Sequence, residues 1–373
     1  MSFLYCNPTV FVIEKEYEIL VNTAKNGIIA LKIGDTTYHE ENSGVLSSEK
    51  AYAKIRVPQP VLDEAKSYTV VYRETIDRKG YYSQMGETQT QTFAFKPMKK
   101  TENIHVYHIG DVHCAFDNAN HLTEFFSDDL DLLIVNGDIA EVETMQSYLD
   151  VCRFVGELAM GTIPVIFTRG NHDTRGKYAE KFTDYFPANG KNTYYSFELG
   201  CLNGIVLDCG EDKRDTHLNY DAMARFDSKS PDLYGGVNEF SAFRQRELRF
   251  LQALRLDDKD KITFAISHIC PVRPHLFHHG DDFDIERECY MAWNKELERM
   301  GVQFMLTAHL HRTYILPPYS EEATIPHAYP IIVGAGVRKE TAIGTAITLN
   351  KNSMEVKFTD NDRNVLETHL VKI

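Results

Sequence analysis

Five short polar motifs stand in order along the second part of the chain, and each contains residue types that can bind a metal ion. The motifs are Asp111-Val112-His113, Gly137-Asp138, Gly170-Asn171-His172-Asp173, His268 and His309-Leu310-His311. Imidazole and carboxylate ligands together favour first-row metals such as Fe, Mn and Zn. Residues i and i+2 of an extended chain point the same way, so the first and last motifs can each present two donors. One aspartate could bridge two cations about 3.5–4 Å apart, and such a pair lowers the pKa of a bridging water and positions it for in-line attack on phosphorus.

Each motif follows a segment that the sequence predicts to be a β-strand. These strands are Ile104–Ile109, Asp131–Val135, Ile163–Phe167, Ile262–Ile266 and Gln303–Leu306. In open α/β sheets the carboxyl ends of the strands converge on one crevice, so the five motifs are expected to meet there. One such motif alone is weak evidence, because short patterns recur by chance. Without a cation, however, four histidines and two aspartates would all need hydrogen-bond partners at one edge, with no metal to neutralise the carboxylates.

Hydrophobic periodicity changes near residue 100, which predicts two domains. Residues 1–100 alternate apolar and polar side chains between turn signals such as Asn26-Gly27, and this period of two predicts a small β-sandwich. Tyr68 could be a tyrosine corner, which favours a fibronectin-III-like or immunoglobulin-like module. Residues 96–100 read as a linker. Residues 101–373 alternate strands and helices, which predicts an α/β layered core with β-sheets flanked by helices.

Two helices are predicted in this second domain. Glu141–Leu158 carries apolar residues at spacings of three and four, and Ser241 is placed as the N-cap of a helix that contains Leu248 and Leu251.

The composition excludes several classes of protein. The chain has 373 residues, 43% of them hydrophobic, with 40 basic and 54 acidic side chains and a net charge of −14. These values exclude a disordered chain and argue against a nucleic-acid scaffold or an anionic membrane surface as partner. No apolar run approaches the roughly 18 residues of a membrane span. The N-terminal residues do not resemble a secretion signal, and seven cysteines fit reduced thiols, so a cytoplasmic location is expected.

The ordered motifs DxH, GDxxE, GNHD, a single histidine and HxH resemble the calcineurin-like metallophosphoesterase family over residues 104–350. The resemblance implies two divalent or mixed-valence ions (Fe, Mn or Zn) and hydrolysis of a phosphate monoester or diester by a hydroxide that bridges them. The first ion would be held by Asp111, His113, Asp138 and His311. The second ion would share Asp138 and add Asn171, His268 and His309. His172 would be the general acid or the transition-state stabiliser, held by its neighbour Asp173.

The all-β region before this core resembles the arrangement in purple acid phosphatases, with two departures. The purple enzymes have a tyrosine three residues after the bridging aspartate, whereas this chain has Glu141 there, so no tyrosinate-to-iron colour is expected. The usual glycine before the HxH motif is Ala308, whose methyl group bears on the fine geometry of the turn rather than on metal binding.

The substrate is left open by the sequence. Arg214 and Arg273 lie in two insertions and are the better candidates there for binding a substrate phosphate or carboxylate, although a solvated loop is the favoured interpretation for any single residue of these insertions. The expected partner is a small phosphate ester, and a nucleotide or cyclic-nucleotide phosphodiesterase and a protein phosphatase are alternatives. A catalytically inactive scaffold on the same fold is a further alternative, weakened by the presence of every expected ligand. The oligomeric state is not predicted.

Overall fold

Strands dominate the part of the chain that the structure describes. The computed structural model describes residues 2–211, 237–256, 260–272, 287–334, 336 and 341–373. Its strands, in chain order, are β1 (Thr9–Ile13), β2 (Glu16–Asn22), β3 (Gly27–Ile33), β4 (Thr36–His39), β5 (Tyr52–Pro58), β6 (Ser67–Asp77), β7 (Gln84–Ala94), β8 (Ile104–Ile109), β9 (Leu132–Asn136), β10 (Pro164–Thr168), β11 (Tyr195–Leu199), β12 (Leu202–Leu207), β13 (Ile262–Ser267), β14 (Phe304–Thr307), β15 (Tyr314–Leu316), β16 (Ile331–Val333), β17 (Ile343–Asn350), β18 (Ser353–Asp360) and β19 (Val365–Lys372).

The described helices are fewer than the strands. They are α1 (Gln59–Ala65), α2 (Phe116–Ala119), α3 (Met145–Ala159), α4 (Phe182–Tyr185), α5 (Phe240–Ala253) and α6 (Arg287–Arg299). Within the described ranges, four single turns of 3₁₀ helix accompany them, at Leu122–Phe125, Ser127–Asp129, His172–Thr174 and Ala179–Lys181. In the described ranges, no helix has both the length and the apolar character that crossing a membrane requires.

The strands of the described residues form three sheets. A nine-stranded sheet has the order β19-β18-β17-β8-β9-β10-β1-β2-β5, a six-stranded sheet has the order β11-β12-β13-β14-β16-β15, and a four-stranded sheet has the order β4-β3-β6-β7. The neighbours β8, β9, β10 and β1 run parallel in the first sheet, as do β12, β13, β14 and β16 in the second. Both sheets therefore present a row of strand carboxyl ends, where α/β proteins place their ligand sites.

Three hydrophobic clusters show how the layers stack. The largest lies between the sheets and takes side chains from all three, for example Val12, Leu31 and Phe264. A second cluster packs the other face of the nine-stranded sheet against α3 and α4, and a third packs the six-stranded sheet against α5 and α6. The predicted α/β layered core, with β-sheets flanked by helices, is confirmed.

The N-terminal residues are β-rich, as predicted, but their strands divide between two sheets. Strands β1, β2 and β5 extend the nine-stranded sheet, in which Phe11 of β1 pairs in parallel register with Val165 of β10. Strands β3, β4, β6 and β7 form the four-stranded sheet. The division at residue 100 and the fibronectin-III-like or immunoglobulin-like character stay predictions, and a continuous sheet crosses that division.

The prediction that Tyr68 is a tyrosine corner is wrong. A tyrosine corner bonds to the backbone a few residues upstream, whereas the Tyr68 hydroxyl donates to the carbonyl of Gly161, 93 residues later, over 2.9 Å. Tyr68 therefore connects the four-stranded sheet to the loop that follows α3.

The linker is also held in place, since the ammonium groups of Lys96 and Lys100 both pair with the buried Asp131.

Two helix starts differ from the prediction. Helix α3 begins at Met145 rather than at residue 141, because the Thr144 hydroxyl accepts a hydrogen bond from the Ser147 amide as an N-cap. Residues 141–144 are thereby left in the loop that follows β9. Helix α5 begins at Phe240 with Glu239 at its N-cap position, so Ser241 lies inside the first turn and is not the cap.

Candidate active site

The predicted ligands lie in five loops at the carboxyl ends of β8, β9, β10, β13 and β14. Backbone hydrogen bonds join the first two loops: the Asp111 amide donates to the Gly137 carbonyl and the His113 amide to the Asp138 carbonyl, each over 3.0 Å. The loops after β13 and β14 are joined in the same way, because the Ala308 amide donates to the His268 carbonyl over 2.9 Å.

Two further hydrogen bonds connect the sheets to each other. The His268 Nδ1 donates to the Asn136 carbonyl of the first sheet over 2.6 Å, and the His309 amide donates to Asp111 Oδ2 over 2.7 Å. The first bond also assigns the His268 tautomer, because a protonated Nδ1 leaves Nε2 facing the carboxylates. The two rows of strand ends therefore form one site.

The backbone of these loops is strained in a way that serves the site. A left-handed conformation, with φ between 45° and 66°, is adopted by Asp111, His113, Asp138, His309 and His311. Non-glycine residues seldom adopt it, and such strain concentrates at functional sites. The loops also approach closely: a Cβ atom at Gly170 would lie 2.2 Å from Asp138 Oδ1, so only glycine fits there. In the HxH turn the left-handed residues are the two histidines and not Ala308.

Asp111, His113 and His311 form the first group of potential ligands. Asp111 Oδ1 lies 3.3 Å from His311 Nε2, and His113 Nε2 lies 3.3 Å from the same nitrogen. The potential ligand atoms of the three residues all lie within 4.8 Å of one another.

Asp138 belongs to two further groups that meet the same criterion. One contains His268 and His309, and the other contains His113 and His172. Asp138 Oδ2 lies 3.2 Å from His268 Nε2 and 3.9 Å from the nearest nitrogens of His113 and His172. The carboxylate that the resemblance makes a bridge therefore lies between the two predicted metal sets. Asn171 is in the adjoining turn, next to His172, whose amide donates to Asp138 Oδ1 over 2.8 Å.

The chemistry of this donor set fits divalent cations. The carboxylates of Asp111 and Asp138 are 0% and 1% exposed, and burying two carboxylates side by side is costly without a compensating positive charge. The amide oxygen of Asn171 is also buried and has no hydrogen-bond partner among the residues that the structure describes. Carboxylate, imidazole and amide ligands of this kind suit first-row metals.

The electrostatics lead to the same conclusion. Burial alone would raise the carboxyl pKa of Asp111 and of Asp138, but the adjacent histidines together outweigh it and hold both pKa values below their usual range. His268 acts on both carboxylates, with His311 beside Asp111 and His172 beside Asp138. Burial alone would lower the pKa of His268, but the two carboxylates raise it to about 10. The raised pKa favours the doubly protonated imidazole of His268. A bound cation would replace the second proton, because an imidazole that ligates a metal is neutral.

The predicted catalytic histidine is held by Glu141 and not by its acidic neighbour. The His172 Nδ1 donates to Glu141 Oε1 over 2.7 Å, and the same oxygen lies 3.4 Å from His113 Nδ1. The Asp173 carboxylate instead accepts from the backbone amides of Gly170 and Asp138. Burial, reinforced by the Asp138 carboxylate, raises the pKa of Asp173 to about 7. This corrects the expectation that Asp173 holds His172, while a catalytic role for Asp173 stays a prediction.

Two side chains at the site, those of Glu141 and Arg175, make contacts with His172 that the motifs do not reveal. Glu141 is predicted only as the residue in the tyrosine position, and Arg175 is not predicted at all. The Arg175 Nη1 lies 3.2 Å from His172 Nε2. The three-residue spacing between His172 and Arg175 could have pointed to this contact, because side chains three residues apart eclipse in a 3₁₀ turn such as His172–Thr174. The two arginines that are predicted as substrate contacts, Arg214 and Arg273, lie outside the described residues.

Comparison with known proteins finds structural relatives of this fold and a matching family model. No curated protein sequence is significantly similar to this chain. Among solved structures, the chain is similar to a purple acid phosphatase, PPD1, from yellow lupin (Lupinus luteus) seeds, with a TM-score of 0.63 and 10% identity over 99% of this chain and 74% of that one. It is also similar to PhoD, with a TM-score of 0.56 and 11% identity over 100% of this chain and 92% of that one. At such identities these two likenesses concern the fold alone.

The family model for calcineurin-like phosphoesterases matches residues 104–313, which is more than half of the chain and contains all five motifs. The resemblance that the motifs suggest is thereby confirmed, and the chain belongs to the calcineurin-like phosphoesterase family.

Proposed function

We propose that this phosphoesterase is a binuclear enzyme that hydrolyses a phosphate monoester or diester of a small molecule. The observation that carries the proposal is the pair of buried carboxylates, Asp111 and Asp138, enclosed by histidines from both sheets. An isolated structural ion pair would not need this many imidazoles at the ends of two sheets. Two divalent cations would supply the missing positive charge.

The ligand sets follow the groups described above. Asp111, His113, Asp138 and His311 would hold one ion, and Asp138, Asn171, His268 and His309 would hold the other. Iron, manganese and zinc suit these donors. When bound, two such ions neutralise charge on the transferring phosphoryl group and activate a water molecule as the nucleophile.

His172 would handle the proton of the leaving group. Its Nδ1 is committed to Glu141, so Nε2 is the atom that faces the other side chains of the site, 3.9 Å from Asp138 Oδ2. Glu141 would fix the orientation of the imidazole and stabilise its protonated form, as carboxylates do in other acid–base pairs.

A cytoplasmic location is part of the proposal. The seven cysteines all lie in the described residues and are thiols rather than disulfides, three of them outside the buried core, and thiols persist in a reducing compartment.

The test combines metal content with turnover. We expect mass spectrometry to find two metal equivalents per chain, and the protein reconstituted with Mn²⁺, Fe²⁺ or Zn²⁺ to hydrolyse a nitrophenyl phosphate monoester, the corresponding diester, or both. Asp138→Asn should lose at least one metal equivalent, because it removes the shared anionic ligand. The matched control is Asp131→Asn. Asp131 is also buried but directly precedes the amino end of β9, whereas Asp138 follows the carboxyl end of that strand.

Hydrolysis of only one of the two esters would assign the enzyme to monoesterases or diesterases. Absence of turnover with every metal, in protein that retains two equivalents, would refute the enzymatic proposal and favour a scaffold. Two equivalents retained by Asp138→Asn would refute the bridging assignment.

A further inference from the structure

The Arg175 side chain lies at the site and contacts His172, although Arg175 is not among the predicted ligands. It directly follows the 3₁₀ turn His172–Thr174, and its amide donates to the His172 carbonyl over 3.1 Å. This closed turn puts the two side chains on the same face, with Arg175 Nη1 3.2 Å from His172 Nε2. The guanidinium group therefore touches the atom that would protonate the leaving group.

A buried carboxylate fixes the direction of this guanidinium group. Glu211 accepts from Arg175 Nε over 2.5 Å and from Nη2 over 2.8 Å, and the Glu211 side chain is only 2% exposed. One edge of the planar fork is thus occupied, which turns Nη1 towards His172. A bidentate pair of this kind orders a long side chain before any ligand arrives.

Glu211 is in turn held by the helix behind it. The fully buried Arg244 of α5 donates through Nε to the Cys209 carbonyl over 3.0 Å and through Nη2 to the Glu211 carbonyl. The segment that carries Glu211 is therefore anchored to the third hydrophobic cluster. Arg244, Glu211, Arg175 and His172 form a continuous chain of contacts from that core to the site.

The hydrogen bond to His172 identifies what Arg175 is able to bind. A guanidinium group can only donate, so His172 Nε2 accepts in this arrangement, while Nδ1 donates to the Glu141 carboxylate. A neutral imidazole nitrogen is a weaker acceptor for a guanidinium group than an anionic phosphoryl oxygen. Arrival of a phosphate would therefore give Nη1 a stronger partner than the imidazole.

A second arginine near the site, Arg169, has different partners from Arg175. It immediately precedes Gly170, but its Nε pairs with the buried Asp208 over 2.7 Å and its guanidinium group packs over the rings of Phe182 and Phe243. Its side chain is 18% exposed, against 37% for Arg175. Arg169 thus completes a packed interior pair, whereas Arg175 reaches the catalytic histidine.

We propose that Arg175 binds a non-bridging oxygen of the substrate's phosphoryl group through Nη1, with Glu211 as the residue that positions it. This inference rests on the proposed function and adds a substrate-binding residue to it. The ligand class is a tetrahedral phosphoryl anion, either ester or inorganic phosphate.

The experiment measures binding and turnover separately. Inorganic phosphate is titrated calorimetrically into metal-loaded protein, and KM and kcat are measured with the nitrophenyl ester that the wild type cleaves. Arg175→Gln should weaken phosphate binding and raise KM by roughly 10–100-fold, the value of a hydrogen bond to a charged group. Arg175→Lys should fall between Arg175→Gln and the wild type, because it keeps the charge and loses the fork. Glu211→Gln should weaken binding less than Arg175→Gln does.

The matched control is Arg153→Gln, which removes an arginine that pairs with Asp150 on the surface of α3. It should leave phosphate affinity and turnover unchanged. Wild-type phosphate affinity in Arg175→Gln, with metal content and cooperative melting intact, would overturn the inference. A fall in kcat alone would also overturn it, because Arg175 would then act only through His172. Phosphate binding that depends on Arg175, in a wild type that cleaves neither ester, would instead refute the proposed function and leave the binding site standing.

Discussion

His172 is engaged on both sides of its ring, and this arrangement makes its contribution separable from metal binding. Its Nδ1 contacts Glu141 and its Nε2 contacts Arg175, while its nearest approach to the Asp138 carboxylate is 3.9 Å. Among the predicted ligands of the two ions, none depends on the His172 imidazole for its own hydrogen bonds in the described residues. The side chain can therefore be removed with the metal sets preserved.

We expect His172→Ala to keep both metal equivalents and to lower kcat by about 10²–10⁴-fold, the usual contribution of a general acid. Metal content by mass spectrometry and steady-state kinetics on the nitrophenyl esters provide the two measurements. Unchanged kcat would remove His172 from the mechanism, and loss of metal would show that it is a ligand.

Glu141→Gln is the companion variant, because it keeps the size of the side chain and removes its charge. A carboxylate that orients an imidazole contributes less than the imidazole itself, so a loss of roughly 10-fold in kcat is expected. If Glu141→Gln and His172→Ala lowered kcat equally, Glu141 would have a direct role in the chemistry.

The sequence predicts the positions of the site residues better than their pairings. Each motif follows a strand, and strand ends converge in any α/β sheet, so residues such as Asp111 and His309 can be placed together from the order of elements. The contacts of His172 with Glu141 and of Arg175 with Glu211 join residues 31 and 36 positions apart, across loops that have no periodicity. No local pattern reports them, and the adjacent Asp173 offers a misleading alternative.

The sequence likewise predicts strands better than it predicts how they pair. The strand β1 is buried at all five positions, whereas the first six residues of β6 alternate between partly exposed and buried. A continuous apolar run is typical of a strand covered on both faces, and it places β1 inside a sheet and not in a two-faced sandwich. Alternation identifies which residues of a strand are buried but not which sheet the strand joins. The pairing of β1 with β10, more than 150 residues away in the chain, is for this reason visible only in the structure.

The four-stranded sheet depends on a specific contact with the layer below it. The Tyr68 side chain is 1% exposed, and its hydroxyl bonds to the Gly161 carbonyl. We expect Tyr68→Phe to lower the free energy of unfolding by about 1–3 kcal/mol, because the carbonyl would be left buried without its partner. Denaturant unfolding followed by circular dichroism measures this change.

Tyr81→Phe is the matched control, since Tyr81 is 80% exposed at the tip of the β6–β7 hairpin and the loss of its hydroxyl should change stability by less than about 0.5 kcal/mol. Equal stability of Tyr68→Phe and Tyr81→Phe would show that the contact with Gly161 does not stabilise the fold.

At the scale of the whole molecule, one sheet spans both predicted domains. Strand β10, whose carboxyl end leads to Asn171 and His172, has β9 on one side and β1 on the other. The ring of Phe11 packs edge-on against Phe167 and Phe186 at centroid distances of 6.2 and 6.4 Å. The N-terminal residues therefore complete the sheet that positions one side of the site, and the boundary at residue 100 can be tested by cutting there.

We expect a fragment of residues 101–373 to aggregate or to lose cooperative melting, because removal of β1 exposes the backbone edge of β10 and the apolar faces beside it. Size-exclusion chromatography and calorimetry, with the full chain as reference, measure the outcome. A matched pair in the full chain tests the same contact: Val10→Asp, at a fully buried position of β1, should unfold the protein, whereas Ile28→Asp, at a 37% exposed position of β3, should be tolerated. A monomeric fragment that melts cooperatively and binds two metals would contradict this expectation and establish residues 101–373 as an independent catalytic domain.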